Sequence, residues 1–320
     1  MLEIGVPVYK ARDTLPKGLD SLVAQTRNNF TVCLSIDADG EDYSDIVETY
    51  TARGLTIRVI EAEENGGPGM ARQHILDTTE ADYIMFMDAD DMLMPRAVEL
   101  LYIQAKIQNL DIVRSSFVRE ERKGGDRYIT KDVNTITWFH GKIYRVGYLK
   151  EKNIRFLPGL RTDEDAYFNF IAWNSTKNRG ELNEMTYIWR DNPNSVTRCN
   201  SVREYFSNTY NNYIRSQVEG LKKLFELNKD INYSLVSQTL MNLYYYYMNA
   251  KFLNLPLDET EAMFMSLADE PWMPTFLNTP QNWMEIVQNV KAGAIYEGQY
   301  VVFYNETFYN WAMRLFKKYE

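Results

Sequence analysis

Three aspartates within four positions have the spacing to hold a divalent cation. Asp88, Asp90 and Asp91 directly follow Tyr83–Met87, an apolar run that predicts a buried strand. Carboxylates this close together repel one another unless a cation joins them. Hard cations such as Mg²⁺ prefer oxygen ligands and usually complete their shell with substrate phosphates. The pattern favours a metal–diphosphate site, and the alternative is a solvated acidic turn that caps the next helix.

Two further segments contain residue types that suit a nucleotide. Asp37 ends another predicted strand and could accept a hydrogen bond from a nucleobase ring N–H, or form an Asx-turn with Gly40. Residues 65–72 form a glycine-rich turn that leads into a helix and lets the backbone approach a ligand. This turn matches neither GxGxxG nor the Walker sequence. Arg72, one turn into the helix, could reach a phosphate or form a surface ion pair.

The elements that position these loops alternate along the first half of the chain. Apolar runs predict strands at 2–8, 30–36, 55–60, 83–87 and 111–118. Amphipathic segments predict helices at about 14–26, 43–53, 68–79 and 95–108. This alternation predicts an α/β fold with a largely parallel sheet, in which ligands bind at the carboxyl ends of the strands.

From about residue 200 the pattern becomes helical. Glycine is sparse, and apolar residues such as Val236, Leu240 and Leu243 recur at helical spacing. We therefore expect two domains, an α/β domain at 1–199 and an all-helical domain at 200–320. The helical spacing of the tyrosines favours packing between helices or between subunits over stacking on a carbohydrate. We expect the second domain to bind the acceptor or to form a homo-oligomer.

The amino-acid composition limits the classes of protein to which the chain can belong. The 320 residues carry 35 Lys and Arg against 44 Asp and Glu, for a net charge of −9, and 45% of them are hydrophobic. These values are typical of a globular protein. Two cysteines exclude a disulfide scaffold, and two histidines argue against a multi-histidine metal site. We expect a cytoplasmic protein, because the sequence shows neither a signal peptide nor an apolar run of about 18 residues.

Seven segments agree in type and order with one known family. They are Gly5-Val-Pro-Val-Tyr9, Leu19-Asp-Ser-Leu-Val-Ala-Gln-Thr26, Asn65-Gly-Gly-Pro-Gly-Met-Ala-Arg72, Met87-Asp-Ala-Asp-Asp91, Gly141-Lys-Ile-Tyr144, Asp163-Glu-Asp-Ala-Tyr-Phe168 and Asn194-Ser-Val-Thr-Arg198. Over about residues 2–198 the chain resembles the family-2 glycosyltransferases of the GT-A fold. The resemblance implies an inverting transfer of sugar from a nucleotide-sugar donor, which we expect to be UDP-linked, with Mn²⁺ or Mg²⁺ as cofactor.

The resemblance also implies roles for individual residues. Donor-binding roles pass to Pro7, Val8, Tyr9, Asp37, Asp39, Gly67, Arg72, Asp88, Ala89, Asp90, Asp91, His140, Lys142, Glu164, Arg190 and Arg198. Of these, Asp90 and Asp88 would hold the metal, and Asp91 would face the sugar. Whether Asp37 or Asp39 contacts the base stays open, and so does the choice of a donor-pocket or a structural role for His140.

Asp165 would be the general base. An acceptor hydroxyl is a poor nucleophile, so a positioned carboxylate must take its proton during the attack. Asp163 and Glu164 should raise at least one pKa in this acidic group and bring a base closer to its working pH. From position alone, the alternative is an acidic helix N-terminus.

Positive charge is concentrated in one segment. Residues 114–161 carry twelve basic and five acidic side chains, a local balance of +7 in a chain of net charge −9. This favours an anionic acceptor, either a phosphate-containing surface polymer or hydroxymethylated (viral) DNA. The alternative is a solvated basic hairpin around residues 123–125.

Two other functions remain open at this point. A sugar nucleotidyltransferase also combines an α/β sheet with metal-binding carboxylates, but it would need a basic glycine-rich loop near residues 6–10, which this sequence lacks. A non-catalytic glycan-binding protein could keep the fold. The intact carboxylates Asp88, Asp90 and Asp165 speak against it.

Overall fold

A computed structural model describes residues 1–123, 126–132, 135–192, 202–279, 281–282 and 308–316. The chain divides into two compact units, Met1–Ser195 and Val196–Glu320. The first contains a nine-stranded sheet with helices. The described residues of the second are mainly helical.

Five of the nine strands of the first unit begin within one residue of a predicted strand, and the other four are not predicted by the sequence. They are β1 (Leu2–Val8), β2 (Thr31–Ile36), β3 (Thr56–Glu61), β4 (Tyr83–Phe86), β5 (Met92–Leu93), β6 (Ile112–Lys123), β7 (Asp126–Asp132), β8 (Lys142–Arg145) and β9 (Arg179–Trp189). Their spatial order is β3-β2-β1-β4-β8-β6-β9-β5, with β7 paired to β6. The α/β class is confirmed.

The sheet is parallel from β1 to β4 and mixed beyond. β8 runs antiparallel to both β4 and β6, so β6 points the same way as β4, and β9 is parallel to β6. The carboxyl ends of β1, β2, β4 and β9 therefore lie along one edge of the sheet. We call it the carboxyl edge.

The helices of the first unit follow the predicted alternation. They are α1 (Leu15–Val23), α2 (Ser44–Ala52), α3 (Pro68–Thr78), α4 (Ala97–Ile107), α5 (Val146–Glu151) and α6 (Glu164–Asn174). In α1 the residues at helical spacing, Leu15, Leu19 and Leu22, are all buried, as the apolar periodicity requires. Removing this stripe from water is the main reason that such a short helix holds its place.

Aromatic rings pack beneath the start of α6. Phe86 of β4 lies edge-on to Phe139 and Phe168, with centroids 5.0 and 6.5 Å apart, and Phe156 stacks on Phe168 at 4.4 Å. Rings packed in this way add to the stabilisation that comes from their buried area. The cluster fixes the first turn of α6 against the end of β4.

The second unit is described as five helices. They are α7 (Val202–Asn228), α8 (Tyr233–Phe252), α9 (Asp258–Leu267), α10 (Met273–Leu277) and α11 (Phe308–Phe316). The predicted stripe on α8 is buried, including Val236, Leu240 and Leu243, and Asn232 caps the helix by accepting from Ser234 N. The predicted helical character of this region is confirmed. None of the helices in the described ranges is both long and apolar enough to span a bilayer.

Candidate active site

The loop after β4 holds its last carboxylate firmly. Asp91 is 1% exposed; its Oδ2 accepts a hydrogen bond from the Tyr187 hydroxyl at 2.7 Å, and its Oδ1 accepts one from Arg190 N at 2.8 Å. Burial raises the pKa of Asp91 well above its usual value, and the charges of Asp88 and Asp90 raise it further. The loop therefore concentrates negative charge in a poorly solvated place.

Asp90 is bound on the same side by the residues that follow β9. Its Oδ2 accepts from Asn192 Nδ2 at 2.7 Å, and its backbone carbonyl accepts from Arg190 Nη1 at 3.2 Å. Burial and the neighbouring Asp88 raise the pKa of Asp90, while Asn192 and Arg190 oppose that shift. Arg190, predicted to lie at the diphosphate, is thus in contact with the acidic loop.

Arg72 joins the two acidic groups of the sequence. Its Nη2 donates to Asp88 Oδ1 and its Nη1 donates to Glu164 Oε1 at 2.7 Å, and its guanidinium lies over the Phe139 ring at 4.7 Å. Arg72 is only 3% exposed, so the predicted alternative of a surface ion pair is wrong. Asp88 and Glu164 are 76 positions apart in the chain, and one buried guanidinium brings them together.

The second acidic group begins α6. Asp163 has φ +62° in the left-handed region, which lets the chain turn sharply into the helix. Burial is the main cause that raises the pKa of Asp163 to about 7. Burial also raises the pKa of Asp165 well above its usual value, followed by the charges of Glu164 and Asp163, while Arg72 opposes the shift. The pKa of Asp165 is thus raised, as the sequence predicts, although burial contributes more to the rise than the charges of Asp163 and Glu164.

Asp88, Asp91 and His140 could hold a metal ion. One ligand atom from each lies within 4.8 Å of the others, and His140 Nε2 is 3.8 Å from Asp91 Oδ2. Burial lowers the pKa of His140 to about 3, so the imidazole is neutral and able to act as a ligand. Its Nδ1 is buried without a hydrogen-bond partner among the described residues. The group includes Asp88, one of the two predicted ligands; the other, Asp90, lies outside this group, and its Oδ2 accepts from Asn192.

Tyr187 connects this group to the loop, and the sequence analysis did not identify it. Its ring stacks on His140 at 4.5 Å, and its hydroxyl accepts from Asp88 N while it donates to Asp91. The run Thr186–Trp189 is rich in β-branched and aromatic residues, which was the available sign of a strand here. Without β9 in place, its contacts could not be foreseen.

Gly141 lets the strands close around His140. Its φ is +64°, and a Cβ at this position would lie 2.3 Å from Ser115 Oγ and 3.0 Å from Thr186 Oγ1. The next residue, Lys142, is buried and donates from Nζ to the Trp138 carbonyl. Burial lowers the pKa of Lys142 to about 7, and the negative charge of Asp165 opposes this.

The predicted base-binding end lies after β1 and β2. Both carboxylate oxygens of Asp37 accept backbone N–H groups of the glycine-rich turn, from Gly66 and Gly67 at 2.8 Å each. The proposed Asx-turn with Gly40 is therefore not what holds Asp37. Arg161 packs beside Gly67 and donates to Asn65. The turn is thus fixed from two sides.

Asp39 lies nearer to solvent than Asp37. It accepts from Lys10 N at 2.6 Å and from the Tyr43 hydroxyl at 2.7 Å. Burial raises the pKa of Asp39, but the bonds from Glu41 N, Tyr43 and Lys10 N outweigh it, and the pKa is lowered. Tyr9 is 49% exposed, and Lys10 lies over its ring at 5.3 Å.

The remaining predicted residues divide into three cases. Pro7 is half-buried at the carboxyl edge, whereas the side chains of Val8 and Ala89 belong to the core. The backbone of Val8 still helps to position Asp37, because its carbonyl accepts a hydrogen bond from Asp37 N at 2.9 Å. Arg198 lies outside the described residues.

Residues 3–162 match the sequence model of Glycosyl transferase family 2, which is half of the chain. The chain belongs to glycosyl transferase family 2. The family resemblance found in the sequence is confirmed.

Curated relatives are similar over part of their length. The chain is 29% identical over 217 residues to the uncharacterized glycosyltransferase EpsJ of Bacillus subtilis, which covers 62% of this chain and 63% of that protein. It is 26% identical over 199 residues to the poly(ribitol-phosphate) β-N-acetylglucosaminyltransferase TarS of Staphylococcus aureus (58% and 34%). Thus the chain spans about one third to two thirds of these relatives.

Solved structures show the same fold. TarS residues 1–349 of S. aureus in complex with UDP superimpose with a TM-score of 0.64 at 19% identity, over 94% of this chain and 93% of that one. A mannosyltransferase of Pyrobaculum calidifontis in complex with GDP-Man and Mn²⁺ gives a TM-score of 0.51 at 11% identity, over 93% and 87%. The fold of this chain is therefore of the GT-A type.

Proposed function

We propose that this protein is a metal-dependent, inverting glycosyltransferase that moves a sugar from a UDP-sugar to a hydroxyl of a phosphate-containing polymer. One observation supports the proposal: Arg72 pairs with both Asp88 and Glu164, which brings the candidate metal group next to the residue that directly precedes the candidate base, Asp165. A transfer reaction needs both within reach of the same sugar.

The donor would lie along the carboxyl edge. Tyr9 offers an exposed ring for the base, and Asp37 and Asp39 are the carboxylates on the β2 side of the site. TarS structures contain UDP and UDP-GlcNAc, which supports a uridine donor for this chain. The diphosphate would then point from this end toward Asp88.

The donor set of Asp88, Asp91 and His140 fits a divalent cation. Two carboxylates and a neutral imidazole suit Mn²⁺, and the mutual repulsion of Asp88 and Asp91 is what a cation would relieve. When bound, the cation would offset negative charge on the departing diphosphate. Tyr187 and Arg190 N keep Asp91 in place for this task.

Asp165 would take the proton of the acceptor. The acceptor oxygen attacks the anomeric carbon as the bond from that carbon to the diphosphate breaks on the opposite face, and its proton passes to a carboxylate oxygen of Asp165. The products are the inverted glycoside and UDP. The raised pKa of Asp165 makes it a stronger base than an ordinary aspartate once it is ionised.

The acceptor is inferred from similarity to other proteins rather than from the charge of residues 114–161. Arg114, Arg145 and Arg155 pair with Glu181, Asp111 and Asp77, so part of the described positive charge of residues 114–161 is neutralised. What favours a phosphate polymer is the similarity to TarS and to the poly(ribitol-phosphate) β-glucosyltransferase of Bacillus spizizenii, which is 27% identical over 189 residues. Hydroxymethylated DNA has no comparable support.

The test is a screen that measures release of the nucleoside diphosphate from different nucleotide sugars. UDP-, GDP- and dTDP-sugars are each incubated with the protein, with and without Mn²⁺ and with an oligomer of ribitol phosphate. We expect release only from a UDP-sugar, dependent on Mn²⁺ and stimulated by the oligomer, with an inverted linkage in the product. Formation of a nucleotide sugar from a sugar phosphate, or absence of turnover with every donor, would contradict the proposal.

Location in the cytoplasm and a homo-oligomer formed through the helical unit stay predictions of the sequence.

A further inference from the structure

Two tryptophans and an arginine border the candidate active site. The rings of Trp138 and Trp189 lie 5.5 Å apart, and the Arg119 guanidinium lies over the Trp189 ring at 5.1 Å. Trp138 also stacks on His140 at 5.9 Å. We call Trp138, Trp189 and Arg119 the indole–guanidinium group.

The strand order places this group on one side of the site. Trp189 ends β9 and directly precedes Arg190, whose N–H binds Asp91, and Arg119 of β6 is in register with Trp189. β2, which Asp37 directly follows, lies on the other side of β4 from β6 and β9. The group therefore adjoins the candidate metal residues at the end away from the base-binding carboxylates.

The two indoles differ from the core rings beside them. Phe117 and Tyr187 are buried, whereas Trp138 and Trp189 are only half-buried and keep part of their surface open to solvent. Arg119 is close enough that its positive charge lowers the pKa of His140. A half-open indole pair with a cation, next to a reaction site, has a surface that can still bind a ligand.

We propose that the indole–guanidinium group is an acceptor subsite, in which the indoles bind the carbon chain or ring of a polyol and Arg119 binds the neighbouring phosphodiester. This inference rests on the proposed function and specifies its acceptor. An aromatic face covers the C–H surface of a polyhydroxylated ligand and leaves its hydroxyls in water. A guanidinium fork matches the geometry of phosphate oxygens.

The experiment measures kcat/KM for two acceptors, an oligomer of ribitol phosphate and free ribitol, with a fixed UDP-sugar. Trp189→Leu should lower kcat/KM about tenfold for both acceptors, through a higher acceptor KM. That factor corresponds to about 1.4 kcal/mol. Trp189→Phe should restore most of the loss, because it keeps an aromatic face. Arg119→Gln should lower kcat/KM about tenfold for the oligomer and leave ribitol within twofold.

Arg155→Gln is the matched control. It removes the same charge from the 114–161 segment, but Arg155 pairs with Asp77 on α3, so neither acceptor should respond. Calorimetry with UDP verifies that each variant keeps the donor affinity, and a melting curve verifies its fold.

The outcomes separate the two levels of the proposal. Normal transfer with unchanged acceptor KM in Trp189→Leu and Arg119→Gln would overturn the subsite and leave the glycosyltransferase intact. An equal effect of Arg119→Gln on ribitol and on the oligomer would overturn the phosphate contact. Absence of transfer in the unaltered protein would contradict the proposed function, and the subsite with it.

Discussion

The two acidic groups of the α/β unit hold their carboxylates in different ways. In the group after β4, Asp90 and Asp91 receive hydrogen bonds from residues at the end of β9. In the group at α6, the carboxylate of Asp165 accepts one hydrogen bond within the described ranges, from the adjacent Ala166 N at 2.7 Å. Burial is the first cause of a raised pKa in both.

The difference suits two kinds of chemistry. A cation needs ligands that stay in one place, and the bonds from the Tyr187 hydroxyl and Arg190 N hold Asp91 in place. A base needs a carboxylate with an oxygen still able to accept a proton, and Asp165 meets that condition. Arg72 holds the two groups together through Asp88 and Glu164.

Removing the base should have the largest effect. We expect Asp165→Asn to lower the transfer rate by about 10²–10⁴-fold, the usual contribution of general base catalysis, because the amide cannot take the proton. Donor affinity should stay within twofold by calorimetry. Asp163→Asn is the control, since asparagine also tolerates the left-handed backbone found there. An active Asp165→Asn protein would mean that the base lies elsewhere.

Breaking the link between the two groups should come next. We expect Arg72→Met to lower the free energy of unfolding by about 3 kcal/mol, because it leaves the buried carboxylate of Glu164 unpaired, whereas Asp88 keeps part of its solvent contact. At a low temperature at which the Arg72→Met variant stays folded, it should transfer sugar more slowly than the unaltered protein. Arg58→Met serves for comparison, since it breaks the Arg58–Glu3 pair of the same unit. Equal activity of the two folded variants would show that the link has no role in the reaction.

The metal group can be tested against the alternative with Asp90. We expect His140→Gln to raise the Mn²⁺ concentration needed for half-maximal activity about tenfold or more. Asp90→Asn should change it less, because the structure pairs Asp90 with Asn192. The assay is a Mn²⁺ titration of UDP release at saturating donor. A larger effect of Asp90→Asn would indicate that Asp90 and Asp88 bind the metal, as the family resemblance implies.

The smallest effect concerns pH. Transfer requires ionised Asp165, so activity should rise with pH through its raised pKa, above the ordinary value of ~3.9. The negative charge of Asp163 raises that pKa, so Asp163→Asn should move the acidic limb of the kcat/KM profile to lower pH. Because the carboxyl groups of Asp163, Glu164 and Asp165 interact, the apparent pKa of this limb describes the three of them together. A shift to higher pH would contradict the assignment.

The sequence predicts the parallel half of the sheet well, because β1, β2 and β4 are continuous apolar runs. It does not predict β5, β7, β8 and β9. β8 has only four residues, and most residues of β9 between Arg179 and Glu184 are polar and not fully buried. Strands of this kind are specified by their neighbours in the sheet rather than by their own pattern.

The same limit applies to the site. Position after a strand was enough to select Asp37 and Asp88, since the carboxyl ends of parallel strands share an edge. The partners were not foreseeable, because Arg72 meets Glu164 across 92 positions and Asp91 meets Tyr187 across 96. Arg72 was therefore expected at a phosphate or on the surface, and it proved to be a buried link.

The most direct test of the central claim is an anomalous difference map from a crystal of the protein with UDP and Mn²⁺. We predict one Mn²⁺ peak bound by Asp88, Asp91 and His140, with the diphosphate on it and the carboxylate of Asp165 facing the open side where the sugar would lie. A Mn²⁺–UDP complex bound elsewhere, or an Asp165 that points away from it, would contradict the account.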